Sequence, residues 1–459
     1  MYRTNLQMSQ FKFTINHLNA LQKARNPTMK KMMNWKQNLK NYLQLSIPAE
    51  SSAPDKFFIY LTLSIPVLMG IYIFVNPLSL ASLKEFCYYL SILALIILLV
   101  FRKTDFSLRL PLTIPFALFF LWAVIGLFFT LDFQNTLHDL RGHLLEHLIV
   151  FFLLVNFCVT RNRLETISIL VIVSTMIFSV GGLILFYGIE GHTITTRFGL
   201  TFKEMYIGFM CFTTVFAAVL SLYRLHRTSS NVYRLLYFLS FLTLTAATLL
   251  NQSRGALIGL GVALIVLCVD RKKNLIFVAV AVALLVFMPG MKDRLQRESM
   301  TQDIRISMFR LSWEVIKDRP FTGVGYGGEI YGNPYLVDLK LYNARLPKEY
   351  QQEPWRIITS THNTFLDVAI RTGLVGLALF GLIFAAAIWM LWDIFRRRRE
   401  EFFRSWAICL LACLLSFMAQ AVFADALFGT QATVIYINLA MIGILWRLAG
   451  QESPVPQGS

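Results

Sequence analysis

One histidine, His362, stands in Ser360-Thr361-His362-Asn363, just ahead of a long apolar run. Near neutral pH an imidazole can take a proton from an alcohol. Ser360 and Thr361 are both good capping types, so the ring is expected to project from a first helical turn. The plain alternative is an interfacial histidine held by hydrogen bonds. Arg254 follows Ser253 in "NQSRGALIG", at the mouth of another apolar run. With Ser253 as N-cap, the free N–H groups of the first turn and the guanidinium form a natural anion site. An arginine on lipid phosphate is the alternative there. In "DIRISMFRLSWEVIKDRP", 303–320, Asp303, Ser307, Arg310, Glu314 and Lys317 make a polar stripe at helical spacing. Ile306, Phe309, Trp313 and Ile316 make the opposing apolar face. That pattern predicts an amphipathic helix lying on the membrane or on a helix bundle. Arg310 either pairs with Glu314 at i,i+4, for roughly 0.3 kcal/mol, or grips a phosphate, with Arg305 as a second candidate. Arg197, in a loop with His192, would be one more cation on the same face.

Two other motifs lead nowhere by themselves. Gly323, Gly325 and Gly328 form a G-x-G-x-x-G, but the dinucleotide fingerprint needs a buried strand before it and a helix after it. Here Pro320 and Pro334 flank the stretch, so a flexible turn closing over a substrate is expected. His143, Glu146 and His147 form an H-x-x-E-H that could share a metal, but no third ligand is evident and the pattern opens an apolar run. A polar helix end is expected, with no metal.

These residues must be held by apolar helices. The 459-residue chain is 56% hydrophobic and 15% charged, far from the ~45–50% apolar and about 25% charged of soluble domains. Apolar runs near 57–75, 86–101, 111–130, 144–160, 165–189, 205–223, 232–250, 253–269, 274–289, 373–395, 404–424 and 431–448 predict an all-α polytopic membrane protein of roughly twelve spans. Basic residues explain the orientation. The N-terminal extension 1–56 and the segments 101–109, 161–163, 223–234, 270–273 and 396–399 are rich in Lys and Arg. With twelve spans they all fall on one side, cytoplasmic by the positive-inside rule, as do both termini. The net charge of +17 therefore reflects topology, and no nucleic-acid partner is expected. The expected division is a cytoplasmic extension 1–56, helices 1–9 over 57–289, a large outer loop 290–361 containing amphipathic helices, a short outer-face helix with helices 10–12 over 362–448, and a tail 449–459. Six cysteines fall in or beside apolar runs without zinc spacing, so neither a disulfide framework nor a thiolate metal site is expected. Charges inside spans, at about 2.5–3.5 kcal/mol each, are tolerated by ion-coupled transporters. Glu146, Asp367, Arg371 and Asp425 all lie near span ends, which favours chemistry at the outer face over transport.

"RLSWEVIKDRPFTGVGYGG" and "STHNTFLDVAIRTGLVG" resemble the C-terminal region of the O-antigen ligase and polymerase superfamily. In the ligases a His followed by Asn, Ser or Gln precedes G-x-x-G by nine residues. His362-Asn363, nine residues, then Gly373 and Gly376 match that spacing. The ligase pattern often continues with Thr, where this chain has Leu377. The resemblance is clearest from residue 253 to about 395. It implies a multi-helix bacterial inner-membrane glycosyltransferase with one large periplasmic loop, working without nucleotide sugar, metal or other cofactor. The implied donor is a glycan on undecaprenyl diphosphate, and the implied acceptor is a sugar of lipid A–core. Arg254 and Arg310, with Arg197 as a third candidate, would stabilise the leaving diphosphate, while His362 would orient or deprotonate the acceptor hydroxyl or touch the diphosphate. Arg197, Arg305, Asn363, Trp313, Gly323 and Gly325 are the expected substrate-binding residues. A polymerase or a protein O-oligosaccharyltransferase of the same superfamily, and outside it a lipid-linked glycan transporter, are the rival expectations.

Overall fold

Helices dominate because a backbone surrounded by lipid must satisfy its own N–H and C=O groups. The computed structural model describes residues 53–78, 80–199, 201–202, 205–206, 211–277, 304–352, 355 and 360–452. The chain divides into two units, 1–63 and 64–459. Of the first, the described part is the opening turns of helix α1 (Ala53–Val75). The helices that follow are α2 (Ala81–Val100), α3 (Thr113–Ile125), α4 (Phe133–Asp139), α5 (Glu146–Phe157), α6 (Arg161–Leu183), α7 (Cys211–Arg227), α8 (Asn231–Leu250) and α9 (Arg254–Asp270). Beyond them lie α10 (Ile304–Asp318), α11 (Leu339–Arg345), α12 (Thr364–Arg397), α13 (Glu401–Ala421) and α14 (Gly429–Gln451). A π-helical turn, Leu140–Leu145, joins α4 to α5, and another, Ile184–Ile189, extends α6. A two-residue ladder pairs Thr201–Phe202 with Met205–Tyr206.

Among the described residues eight helices are long and apolar enough to cross a membrane, against about twelve expected. The runs at 111–130, 205–223 and 253–269 become Thr113–Phe128, α7 and α9. The last two have 17 residues each, about 26 Å against a hydrocarbon core of about 30 Å. The twelfth run, 274–289, lies outside the described residues from 278 onward, as do most of the N-terminal extension and residues 290–303.

α9 packs along α13, α8 along α7, α14 along α5, and α12 against both α3 and α13. Ion pairs gather the basic segments. Arg161 bridges Glu400 and Glu452, Arg227 bridges Asp270 and Glu401, and Arg224 meets Glu165 at 3.1 Å. Arg447 donates to the Ser107 carbonyl at 2.6 Å and to Asn156 at 2.9 Å. Five of the six basic segments thus share one end of these helices. The sixth, in the N-terminal extension, lies outside the described residues.

At the other end, α12 is interrupted. Gly373 has φ 71° and ψ 179°, a conformation open to glycine alone. A Cβ there would run into the Phe321 carbonyl. The break admits the segment after α10, and Leu374 N–H donates to Pro320 O at 2.7 Å. Met308, Leu311, Val315 and Ile316 of α10 then share one core with Val324, Ile330, Tyr331, Leu366 and Ile370.

Candidate functional site

Two helix N-termini far apart in sequence open onto one cavity. Ser253 caps α9, its Oγ accepting the Ala256 N–H at 3.5 Å, and Arg254 is the first helical residue. Asn363 caps α12, accepting the Phe365 and Leu366 N–H groups at 3.0 and 3.1 Å. Each cap follows a non-glycine residue in the left-handed region, Gln252 (φ 53°) and His362 (φ 50°). A chain entering a helix through such a residue turns sharply, which brings the cap and its neighbour to the rim. Sequence reading placed His362 in the first helical turn behind Ser360 or Thr361. The cap is instead Asn363, and His362 precedes it.

The cavity measures about 810 Å³. Arg254 lines it from α9, Arg305, Arg310, Trp313 and Lys317 from α10, and His362 and Asn363 from the loop before α12. Val422 and Phe423, after α13, and Leu346 and Pro347, after α11, add apolar wall. Six of nine candidate residues therefore meet: Arg254, Arg305, Arg310, Trp313, His362 and Asn363. Four cations face one carboxylate, Glu314, which pairs with Lys317 at 2.7 Å. Arg310 does not pair with Glu314. Its guanidinium lies 3.6 Å from the centre of the Tyr350 ring, a cation–π seat that holds the charge without neutralising it. Trp313 is 43% exposed and Phe309 51%. They belong to the cavity side of α10, while its buried face is Met308, Leu311, Val315 and Ile316. The two-faced division expected from the sequence is thus rotated: Phe309 and Trp313 stand among the charges.

The other three candidates lie elsewhere. Arg197 donates from Nε to the Asn251 carbonyl at 2.9 Å, behind the Arg254 turn rather than in the cavity. Gly323 and Gly325 are not among the residues that line the cavity. Val324 and Gly325 donate to the Ile370 and Arg371 carbonyls at 2.8 and 3.1 Å, and Leu131 donates to Val324. A Cβ on Gly323 would strike the Ile370 and Arg371 backbone, and one on Gly325 would strike Thr130. These glycines (φ 69° and 121°) permit backbone contact in the packed interior. The guanidinium of Arg371 fastens the loop, donating to the carbonyls of Tyr326, Gly327 and Gly328 while paired with buried Asp367 at 2.8 Å.

Sequence reading gave no role to Asp425. Its carboxylate accepts hydrogen bonds from the hydroxyls of Ser360 and Thr361 and, at 3.2 Å, from the His362 N–H. The imidazole Nδ1 is 4.0 Å away, beyond hydrogen-bond reach, so Asp425 acts on the backbone of the loop. Burial pushes the Asp425 carboxyl up from its ordinary value. Burial, then the nearby Arg305 charge, hold the His362 imidazole down, which favours the neutral, proton-accepting ring.

The H-x-x-E-H residues serve packing. His147 is buried, stacks on Tyr436 at 4.9 Å and meets Thr433 at 3.1 Å, while Glu146 accepts the Tyr72 hydroxyl at 2.8 Å. Among the described residues no group of three or more His, Cys, Asp or Glu could hold a metal ion.

A comparison with curated proteins gives no match. Residues 239–381 match the family model described as O-antigen ligase. That segment, about a third of the chain, carries Arg254, Arg305, Arg310, Trp313, His362 and Asn363, and in it the chain is similar to the O-antigen ligase family.

Proposed function

We propose that the protein is an O-antigen ligase of the bacterial inner membrane, with its cavity facing the periplasm and the basic helix ends facing the cytoplasm. The family supports a glycosyltransferase acting on lipid-linked glycans in a membrane. The observation that carries the finer reading is the meeting of three arginines with a neutral-leaning imidazole in one cavity with apolar walls.

The donor is a glycan on undecaprenyl diphosphate, and the acceptor is a hydroxyl of the lipid A–core oligosaccharide. The acceptor oxygen attacks the anomeric carbon as the bond from that carbon to the diphosphate oxygen breaks, inverting the centre. The bonding pair leaves with the diphosphate, whose growing charge meets Arg254, Arg305 and Arg310 and the positive ends of α9 and α12. The acceptor proton passes to His362 and from there to solvent or the departing diphosphate. Guanidinium forks suit this task because they stay charged and bind phosphate oxygens in pairs. Phe309, Trp313, Val422 and Phe423 offer the polyprenyl chain an apolar path from the bilayer.

The test mixes purified protein with undecaprenyl-diphosphate glycan and lipid A–core, without nucleotide or metal. Glycosylated lipid A–core is expected, with transfer abolished in His362→Ala, Arg254→Ala and Arg310→Ala variants that still insert into membranes. A lengthened donor glycan would identify a polymerase instead. Absence of any new glycosidic bond, or near-normal transfer by all three variants, would overturn the assignment.

A further inference from the structure

A second cavity, of about 580 Å³, opens beside α2, the π-helical turn 140–145 and the start of α14. Its chemistry differs from that of the first. Lys84 and Arg141 are matched in number by Glu85 and Glu146, and Tyr88 and Tyr89 supply aromatic rings. Lys84 meets Glu146 at 3.5 Å. Among the described residues Glu85 and Arg141 make no ion pair, and both are exposed. The π-turn carries Arg141, Gly142 and His143 to the cavity wall. Such turns recur at functional sites because the extra residue re-aims side chains at a cost in helix regularity.

An evenly charged wall has no surplus with which to hold a diphosphate. It does offer separate donors and acceptors at several points, together with apolar ring faces. That combination suits a ligand with many hydroxyls, each able to donate and accept, and with apolar C–H faces between them. The segment 422–429 links the two cavities. Val422 and Phe423 line the first and Gly429 lines the second. Between them Asp425 holds the His362 loop, and Phe428 lies edge-on to His143 at 5.1 Å.

We propose that this second cavity is a saccharide subsite, holding sugar units remote from the reacting carbon, and that it takes neutral sugars rather than phosphate groups. The proposal rests on the glycan-transfer reading above. It is tested by binding, so a failure of transfer and a failure of saccharide binding are separate results.

Equilibrium dialysis of the full chain in nanodiscs would use two probes, each lipid-free and dephosphorylated: the acceptor core oligosaccharide and the donor repeat unit. Inorganic pyrophosphate serves as a third. At least one saccharide is expected to bind, and which one identifies the source. A Glu85→Ala/Arg141→Ala variant should weaken that binding by about tenfold or more and leave pyrophosphate binding unchanged. An Arg254→Ala/Arg310→Ala variant should do the reverse. Binding of neither saccharide, or saccharide binding that follows the Arg254/Arg310 variant instead, would overturn the proposal.

Discussion

Two influences push the His362 imidazole the same way, burial and then the Arg305 charge. In the proposed reaction the neutral ring accepts the proton, so transfer is expected to be lost as pH falls through its pKa. The acidic limb of the kcat/KM profile should therefore lie below about 6.5, the ordinary imidazole value. Replacing Arg305 by Ala removes a repelling charge, so the limb should move to higher pH; a limb that stays put or falls would contradict this placement. Asp425 acts at the same scale through the loop backbone. Asp425→Ala leaves three donors without their acceptor and should lower the transfer rate by roughly 100-fold, the usual order for a displaced catalytic group. Asp425→Asn keeps one acceptor oxygen and should recover part of that loss. Equal rates for the two variants would argue against a positioning role. The arginines and the histidine were legible in the sequence because charge at the mouths of apolar runs is rare. Asp425 was not. It lies in a short connector more than sixty residues after His362, and spacing carries no sign of a contact that only the fold creates.

At the scale of elements, the break in α12 joins local backbone to site geometry. Gly373→Ala would impose a Cβ on a left-handed residue pressed against the Phe321 carbonyl. The backbone penalty alone is of order 1–3 kcal/mol, so a lowered Tm in detergent is expected. Gly381→Ala in the same helix meets nothing within 4 Å and should leave Tm unchanged. Equal Tm for the two variants would remove the structural role of the break. Gly323 and Gly325 are legible in the sequence as turn formers, whereas their packing against Ile370, Arg371 and Thr130 is not. Glycine announces that backbone must bend or approach closely, and is silent about what approaches. The amphipathic pattern of 303–320 was likewise visible, yet its apolar residues divide between a core and a cavity. Periodicity alone cannot separate two apolar surfaces on one helix.

For the whole molecule, the expectation to check is sidedness. Five of the six cysteines are buried and Cys268 is half-buried, so the native background for thiol labelling should be low. Lys348→Cys, near the cavity end, should react with a membrane-impermeant maleimide added from the periplasm, and Arg399→Cys, at the basic end, should not. The reverse pattern would place the cavity in the cytoplasm. Most span positions were legible because lipid demands long apolar runs. Their number was less so, since α7 and α9, of 17 residues each, stand at the lower end of what crosses a bilayer. The helix carrying Arg310 and the short piece of α12 behind His362 are built on one apolar core, around Leu311, Val315, Tyr331 and Ile370. The proposed anion clamp and the proposed proton acceptor are thus mounted on the same plinth. A cavity-creating lesion such as Tyr331→Ala, which touches no ligand, would shift both at once and imitate a lost catalytic group.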